Sequence, residues 1–264
     1  MKLIKNTFFI FLSFLISCST LENQMSPKCL YPKEMLEKGG IINREYTGNI
    51  DKELNKYICK DNKNSYLVYP IPYDSPSEFL LLGNKIRINK KNFRESRIVI
   101  KDKKFNEISK INLKRISEEK KIFDKYIKLI TEKKYLSINF KMPSEGIISS
   151  EYGVKRFINN IPRNPHLGLD IAADKGTLIV APENGKIVFS GNFFYRGNLL
   201  IIDHGNGIIT TYSHLDEILK IKGDFVKRGQ EIASIGSSGR VTGPHLHFET
   251  IVYGIKINPL IFLK

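Results

Sequence analysis

After Pro143 the chain becomes a succession of short apolar runs cut by glycine, at residues 177–181, 185–190, 199–203, 207–212 and 231–235. Each run is too short for an ordinary helix and is bounded by turn signals such as Glu183-Asn184-Gly185 or Asn206-Gly207. Helical signal is close to absent there, so residues 143–264 are expected to form an all-β domain, an antiparallel and barrel-like sheet. Upstream, β-like runs at 66–73, 78–82, 85–89 and 97–100 alternate with Asp, Ser, Pro, Gly and Asn. Ile116, Phe123, Ile127 and Ile130 then fall near helical spacing. Residues 65–142 are therefore expected to be a small β-rich region plus a connecting helix. Residues 18–64, polar and rich in Lys and Asn, read as a tether or lead-in.

The start of the chain has its own texture. Lys2 and Lys5 precede the apolar run Phe8 to Ile16, shorter than the ~20 residues that span a bilayer, so residues 1–17 read as an export signal. The run ends in Leu15-Ile16-Ser17-Cys18, which resembles a bacterial lipobox, with Cys18 as the lipidated residue. The expectation is an exported lipoprotein, anchored in the membrane and facing periplasm or cell wall. Cys29 and Cys59 remain as a candidate disulfide in that oxidising compartment, with two free thiols as the alternative. The formal charge of +15 is lopsided: residues 144–264 carry 13 Lys and Arg against 11 Asp and Glu, and the rest sits upstream. Such a basic exported surface suits anionic headgroups or an acidic wall, and no nucleic-acid partner is expected.

The chain has five histidines, and four of them fall in three short segments. These are His166-Leu167-Gly168-Leu169-Asp170, Thr211-Tyr212-Ser213-His214-Leu215 and His245-Leu246-His247-Phe248-Glu249. On a strand, residues of equal parity share a face. His166 and Asp170 then point one way, as do His245 and His247, while Leu167, Leu169, Leu246 and Phe248 turn toward a core. Gly168 leaves room beside the first pair. Parity also puts His214 with Ile208, Thr210 and Tyr212, on a segment able to join the same cleft. A structural zinc site favours four ligands and cysteines, whereas two His and one Asp leave a position open for water. His204, in the turn-like Asp203-His204-Gly205, reads as a structural histidine. Asn160 and Arg163 stand on a probable loop before the first pair and are weaker candidates for substrate contact.

These segments, with Ile148-Ser149-Ser150-Glu151-Tyr152-Gly153 and Gly236-Ser237-Ser238-Gly239-Arg240-Val241-Thr242-Gly243-Pro244, closely resemble the lysostaphin/LytM-type zinc endopeptidases of peptidoglycan over about residues 145–264. The resemblance implies one Zn²⁺ per chain, held by His166, Asp170 and His247, with His214 and His245 as catalytic histidines. It also implies a largely antiparallel β-fold with the site in a groove. Zinc chemistry of this kind lowers the pKa of a water toward ~7. His245 would then move the proton and His214 would hydrogen-bond the oxyanion, and the two roles are exchangeable. Relatives that have lost ligands act as activators of other wall hydrolases, but here the ligand set is intact. A regulatory protein partner remains open. A third reading rests on Asp224 to Ile232, which resembles the hammerhead of lipoyl or biotinyl carriers. Such a carrier has no use for clustered metal ligands.

Overall fold

The computed structural model describes residues 29, 31–48, 52–60, 64–99, 108–132 and 140–264. The expected signal segment 1–17 and Cys18 lie outside the described residues. The upstream region holds strands β1 (Ile41–Glu45), β2 (Ile58–Lys60), β3 (Ser65–Pro70), β4 (Glu78–Leu81), β5 (Asn84–Arg87) and β6 (Glu95–Ile98), then helix α1 (Lys110–Ile127). The glycine-punctuated part holds β7 (Ile147–Ser150), β8 (Lys155–Ile158), β9 (Ile161–Arg163), β10 (Leu169–Ala172), β11 (Leu178–Val180) and β12 (Gly185–Phe193). It continues with β13 (Gly197–Gly205), β14 (Ile208–Ile218), β15 (Phe225–Val226), β16 (Glu231–Ile235), β17 (Leu246–Val252) and β18 (Ile255–Ile257). The fold is mostly β, as the apolar runs predict.

Ten of these strands form one antiparallel sheet whose main path runs β15-β12-β13-β14-β17-β10-β7, with β11, β16 and β18 attached beside it. The hydrophobic faces of β10, β13, β14 and β17 close on a core that includes Leu169, Ile171, Tyr212, Leu246 and Phe248, all fully buried. Tyr212 and Phe248 are register partners whose rings meet 5.4 Å apart, so the core is stitched by an aromatic cross-strand pair. β17 lies between β14 and β10, which makes it the strand against which both flanking segments are aligned.

Part of the stretch expected as a tether packs into this same core. Tyr31, Ile41, Ile42 and Tyr57 are buried in the cluster that holds Leu169 and Phe248. Tyr31 donates its hydroxyl to the Asn206 carbonyl at 2.7 Å, and the Asn258 N–H donates to the Gly39 carbonyl at 2.8 Å. Gly39 is required there: with φ +81° and Tyr152 Cε1 2.2 Å from where a Cβ would stand, no side chain fits. A count of Lys and Asn hides these aromatic and β-branched anchors, which is why the stretch reads as a lead-in. Cys29 and Cys59 are bonded to each other, joining the segment before Tyr31 to β2.

Helix α1 starts six residues before Ile116, capped by Ser109, whose hydroxyl accepts from the Asn112 N–H at 3.2 Å. Its first turn exposes Ile111 and Leu113, so no apolar face marks it in the sequence. Phe123 and Ile127 supply its buried contacts with β-strand residues Leu199, Ile201 and Ile251. One pairing departs from the antiparallel expectation: β6 runs parallel to β8, which in turn pairs with β9 through the turn Asn159-Asn160, at φ 50° and 64°. Two left-handed Asn residues are what a tight two-residue hairpin needs. This three-stranded sheet brings the upstream region to the edge of the histidine cleft.

Candidate metal centre and its cleft

Asp170 and His247 are register partners on β10 and β17, so their side chains leave the sheet side by side. His166 precedes β10 and lies outside it; main-chain bonds to the 153–154 segment hold it, His166 N–H to the Val154 carbonyl at 2.8 Å. The three donor atoms form a triangle: His166 Nε2 to Asp170 Oδ1 2.9 Å, His247 Nδ1 to Asp170 Oδ1 2.7 Å, and His166 Nε2 to His247 Nδ1 3.0 Å. The Gly168 position explains itself here. A Cβ would stand 2.7 Å from His247 Cε1, so the room it leaves is room for the His247 ring.

The outward nitrogens are engaged. His166 Nδ1 lies 2.8 Å from the Glu151 carbonyl, and His247 Nε2 lies 3.1 Å from Glu249 Oε1. With N–H donated outward at both rings, Nε2 of His166 and Nδ1 of His247 are the atoms left to share a proton or a cation with Asp170 Oδ1. Such outward partners, a carbonyl and a carboxylate, are the usual second contacts of metal-bound imidazoles. Burial alone would raise the Asp170 carboxyl, yet its bonds to His166 and His247 hold it well below the usual carboxylate range. Burial alone would lower His247, yet Asp170 and Glu249 pull it up. The triangle therefore draws positive charge. Donors around one tetrahedral ion with bonds of about 2.0–2.1 Å stand about 3.3 Å apart, so these atoms need only a small outward adjustment to share a cation. The residues fit a zinc ion.

His245 and His214 complete the cleft by another route. His245 precedes β17, and its Nε2 is 4.0 Å from Asp170 Oδ1 while its Nδ1 faces the Gly243 carbonyl at 2.9 Å. The His214 ring packs 4.9 Å from that of His245 and 6.1 Å from that of His247, with its Nδ1 2.9 Å from the Ser238 carbonyl. Strand parity misplaces His214. On β14 the residues facing with His247 are Ser213 and Thr211, while Tyr212 and Thr210 point into the core. His214 escapes that face because its backbone turns left-handed, φ +66°, at a register shift between β13 and β14. A non-glycine residue in that conformation is held there by its surroundings, as its N–H bond of 2.8 Å to the Arg196 carbonyl illustrates. Burial, then the nearby His247 and His245, push the His214 imidazole down to about 3.

The cleft that these residues line measures about 540 Å³. Ser96 and Ile98 of β6 form part of its wall, so the upstream region contributes to it directly. His204 lies elsewhere, fully buried, bonded to the Asn184 carbonyl at 2.9 Å and to Thr210 Oγ1 at 2.7 Å, as a structural histidine should be. Asn160 sits at the β8–β9 turn and Arg163 on exposed β9; neither lines the cleft.

Several functional neighbours escape sequence reasoning. Arg156 donates to Asp170 Oδ2 at 2.7 Å. Glu249, only 2% exposed, is held by Arg196 Nη1 at 3.0 Å, Lys256 Nζ at 2.7 Å and Thr211 Oγ1 at 2.8 Å. Burial would raise this carboxyl, but Arg196 and Lys256 keep it well below the ordinary range. Phe123 of α1 lies 4.1 Å beneath the Arg196 guanidinium, so the upstream helix shields the pair. Glu249 shares parity with His247 and could have been found by that rule; Arg156 and Arg196 carry no local signal.

One antiparallel sheet thus carries a two-histidine, one-aspartate triangle that could hold a metal ion, with two more histidines in the same cleft. Residues 164–259 match the sequence profile of Peptidase family M23, so the family likeness lies in the C-terminal part of this chain. Over 122 residues the chain is 42% identical to the peptidoglycan DD-endopeptidase ShyA of Vibrio cholerae, covering 46% of this chain and 28% of that protein. Over 125 residues it is 36% identical to the murein hydrolase activator NlpD of Escherichia coli, covering 47% of this chain and 31% of that one. The matches thus span under a third of either relative. A crystal structure of an M23-type peptidase from Pseudomonas aeruginosa superposes with TM-score 0.67 at 23% identity, over 87% of this chain and 95% of that chain, which shows the shared fold.

Proposed function

We propose that this protein is a zinc-dependent endopeptidase that hydrolyses peptide cross-links of bacterial peptidoglycan during wall remodelling. The observation that carries the reading is the triangle of His166 Nε2, Asp170 Oδ1 and His247 Nδ1, no side longer than 3.0 Å, opening on a cleft with two further histidines. Likeness to the DD-endopeptidase ShyA supports the substrate class. Bound zinc supplies a Lewis acid for the scissile carbonyl and brings the pKa of a water toward about 7.

The chain's own residues do the rest. His245 donates its Nδ1–H to Gly243 and presents Nε2 to the cleft, where it takes the attacking water's proton and passes it to the leaving amine. His214 donates its Nδ1–H to Ser238, so in its neutral form Nε2 faces the cleft as an acceptor beside the His245 ring, able to hold the attacking water, and the two histidines can exchange roles. The residues Arg156 and Glu249 orient Asp170 and His247. Export and anchoring through acylated Cys18 belong to the same proposal, since the wall is outside the cytoplasm and acyl chains contribute ~0.8 kcal/mol per buried CH₂. Among the described residues no helix is long and apolar enough to cross a membrane.

Likeness to NlpD favours a second reading, a wall-bound activator of another hydrolase. Digestion of purified peptidoglycan by the full-length protein in detergent, with and without chelator, separates the two. New muropeptides, identified by mass spectrometry and lost with chelator, are expected. Wall binding without products from metal-loaded protein would establish the activator instead.

A further inference from the structure

The cleft is lined by three arginines, Arg156, Arg196 and Arg240, and among the described lining residues Asp170 is the one carboxylate. Arg156 pairs with Asp170 at 2.7 Å and Arg196 with Glu249 at 3.0 Å. The Arg240 guanidinium has no ion-pair partner among the described residues. It stacks instead over the Tyr195 ring at 4.3 Å, while its backbone N–H donates to the Tyr195 carbonyl at 3.0 Å. The loop beneath it is clamped: a Cβ on Gly239 would stand 2.4 Å from the Gly197 nitrogen. Burial disfavours the charged form of Arg240, Tyr195 partly offsets it, and the charges of Arg163 and Arg156 add to the cost. A half-buried cation held among like charges is costly, and an incoming anion relieves that cost. The planar guanidinium fork matches a carboxylate bidentately.

The place of Arg240 says which carboxylate. It belongs to the 236–244 loop whose Ser238 and Gly243 carbonyls hold His214 and His245, the side of the cleft where the leaving amine receives its proton. Building on the hydrolase reading above, we propose that Arg240 is a subsite for a free carboxylate on the residue that supplies the leaving amine. Two peptides offer that chemistry. One is a cross-link made through the amine of a diamino acid whose adjacent carboxylate is free; the other is the terminal residue of an unlinked stem peptide. The interior of a glycine bridge offers neither, and is disfavoured as substrate.

The test uses full-length, zinc-loaded protein in detergent and three probes: a cross-linked muropeptide dimer, the same dimer amidated at the carboxylate beside the scissile amide, and an unlinked pentapeptide. The wild type should prefer the free over the amidated dimer by about 30- to 100-fold in kcat/KM, the order expected for a charge-assisted hydrogen-bond pair. R240Q should bring that ratio near one, and R240K should keep part of it. Cleavage of the pentapeptide with the same dependence on Arg240 makes chain ends a second source of the carboxylate, while its resistance confines the subsite to cross-links. A wild-type ratio near one, or a preference that survives R240Q, overturns the subsite. If no probe is cut, the hydrolase reading fails and calorimetry on chelator-treated protein judges the subsite alone. A Kd at least about tenfold tighter for the free dimer, lost in R240Q, sustains it; equal Kd values overturn it.

Discussion

Asp170 and His247 are held by paired strands and a ring of charge, with His166 beside them, whereas the rings of His214 and His245 are each held by a neutral carbonyl of one glycine-rich loop. Around the triangle stand Glu249, Arg156, Arg196 and Lys256, every one in an ion pair. Behind the histidine pair stand the Ser238 and Gly243 carbonyls. The two halves of the cleft are a few ångströms apart, yet the physics differs. Charged partners keep deprotonated donors in place for a cation. Neutral partners set the tautomer of a ring without committing it to one charge, which is what proton transfer requires.

The largest effect that can break this contrast is a double dissociation. Asp170→Ala or His247→Ala should lower zinc stoichiometry from near one to near zero and abolish cleavage, since two donors rarely retain the ion. By contrast, His245→Ala and His214→Ala should each cut the rate by ~10²–10³ or more while zinc stays near one, as read by plasma emission on dialysed protein. Zinc loss in either of the latter would merge the two halves and reverse the assignment of ligand and catalyst.

Glu249→Gln comes next. It keeps the shape but removes the charge that accepts from His247 Nε2 and leaves Arg196 and Lys256 buried with a neutral partner. Zinc affinity, measured by competition with a chelating dye, should weaken about 10- to 100-fold. An unchanged affinity would mean that the charge ring serves folding alone.

The contrast also predicts a pH signature. His214, held down to about 3, stays neutral in the folded protein while the unfolded chain takes a proton near 6.5. Its contribution to stability is thus complete above pH 6.5 and is lost as pH falls toward 3. On chelated protein, urea midpoints should fall between pH 6.5 and 4 with a slope approaching ~1.4 kcal/mol per pH unit for this one proton. His214→Gln should flatten that slope; an unaltered slope would place the linkage elsewhere.

How far the sequence foretold this depends on which force is local. The glycine-cut runs announced the antiparallel sheet because strand period and turn chemistry are written in adjacent residues, and β16 spans the same five residues, 231–235, that the pattern marks. Parity paired His166 with Asp170 and His245 with His247, but only Asp170 and His247 lie on strands, as register partners, while His166 and His245 precede theirs. It failed at His214, where one left-handed residue reverses the alternation, and no neighbouring glycine announces that turn. Arg156 and Arg196 were invisible because their carboxylate partners lie 14 and 53 residues away in the chain. The β6–β8 pairing, parallel and between distant segments, has no local signature either.

The smallest predicted effect, and the finest probe of the two halves, compares two glycines. Gly168 stands against the triangle: a Cβ there meets His247 Cε1 and the Phe248 carbonyl, each at 2.7 Å. Gly239 stands under the histidine loop at φ +78°, where a Cβ meets the Gly197 nitrogen at 2.4 Å. Both contacts involve backbone, so neither site relaxes by turning a side chain, and each Gly→Ala change should cost about 1–3 kcal/mol of stability. Their functional consequences should part. Gly168→Ala pushes on a ligand ring and should weaken zinc binding several-fold, with turnover recovering at saturating metal. Gly239→Ala moves the Ser238 and Gly243 carbonyls that aim His214 and His245, so kcat should fall at every zinc concentration while affinity for the metal holds. If both variants lose zinc alike, the loop and the strands behave as one unit, and the separation between a charge-held and a carbonyl-held half does not survive.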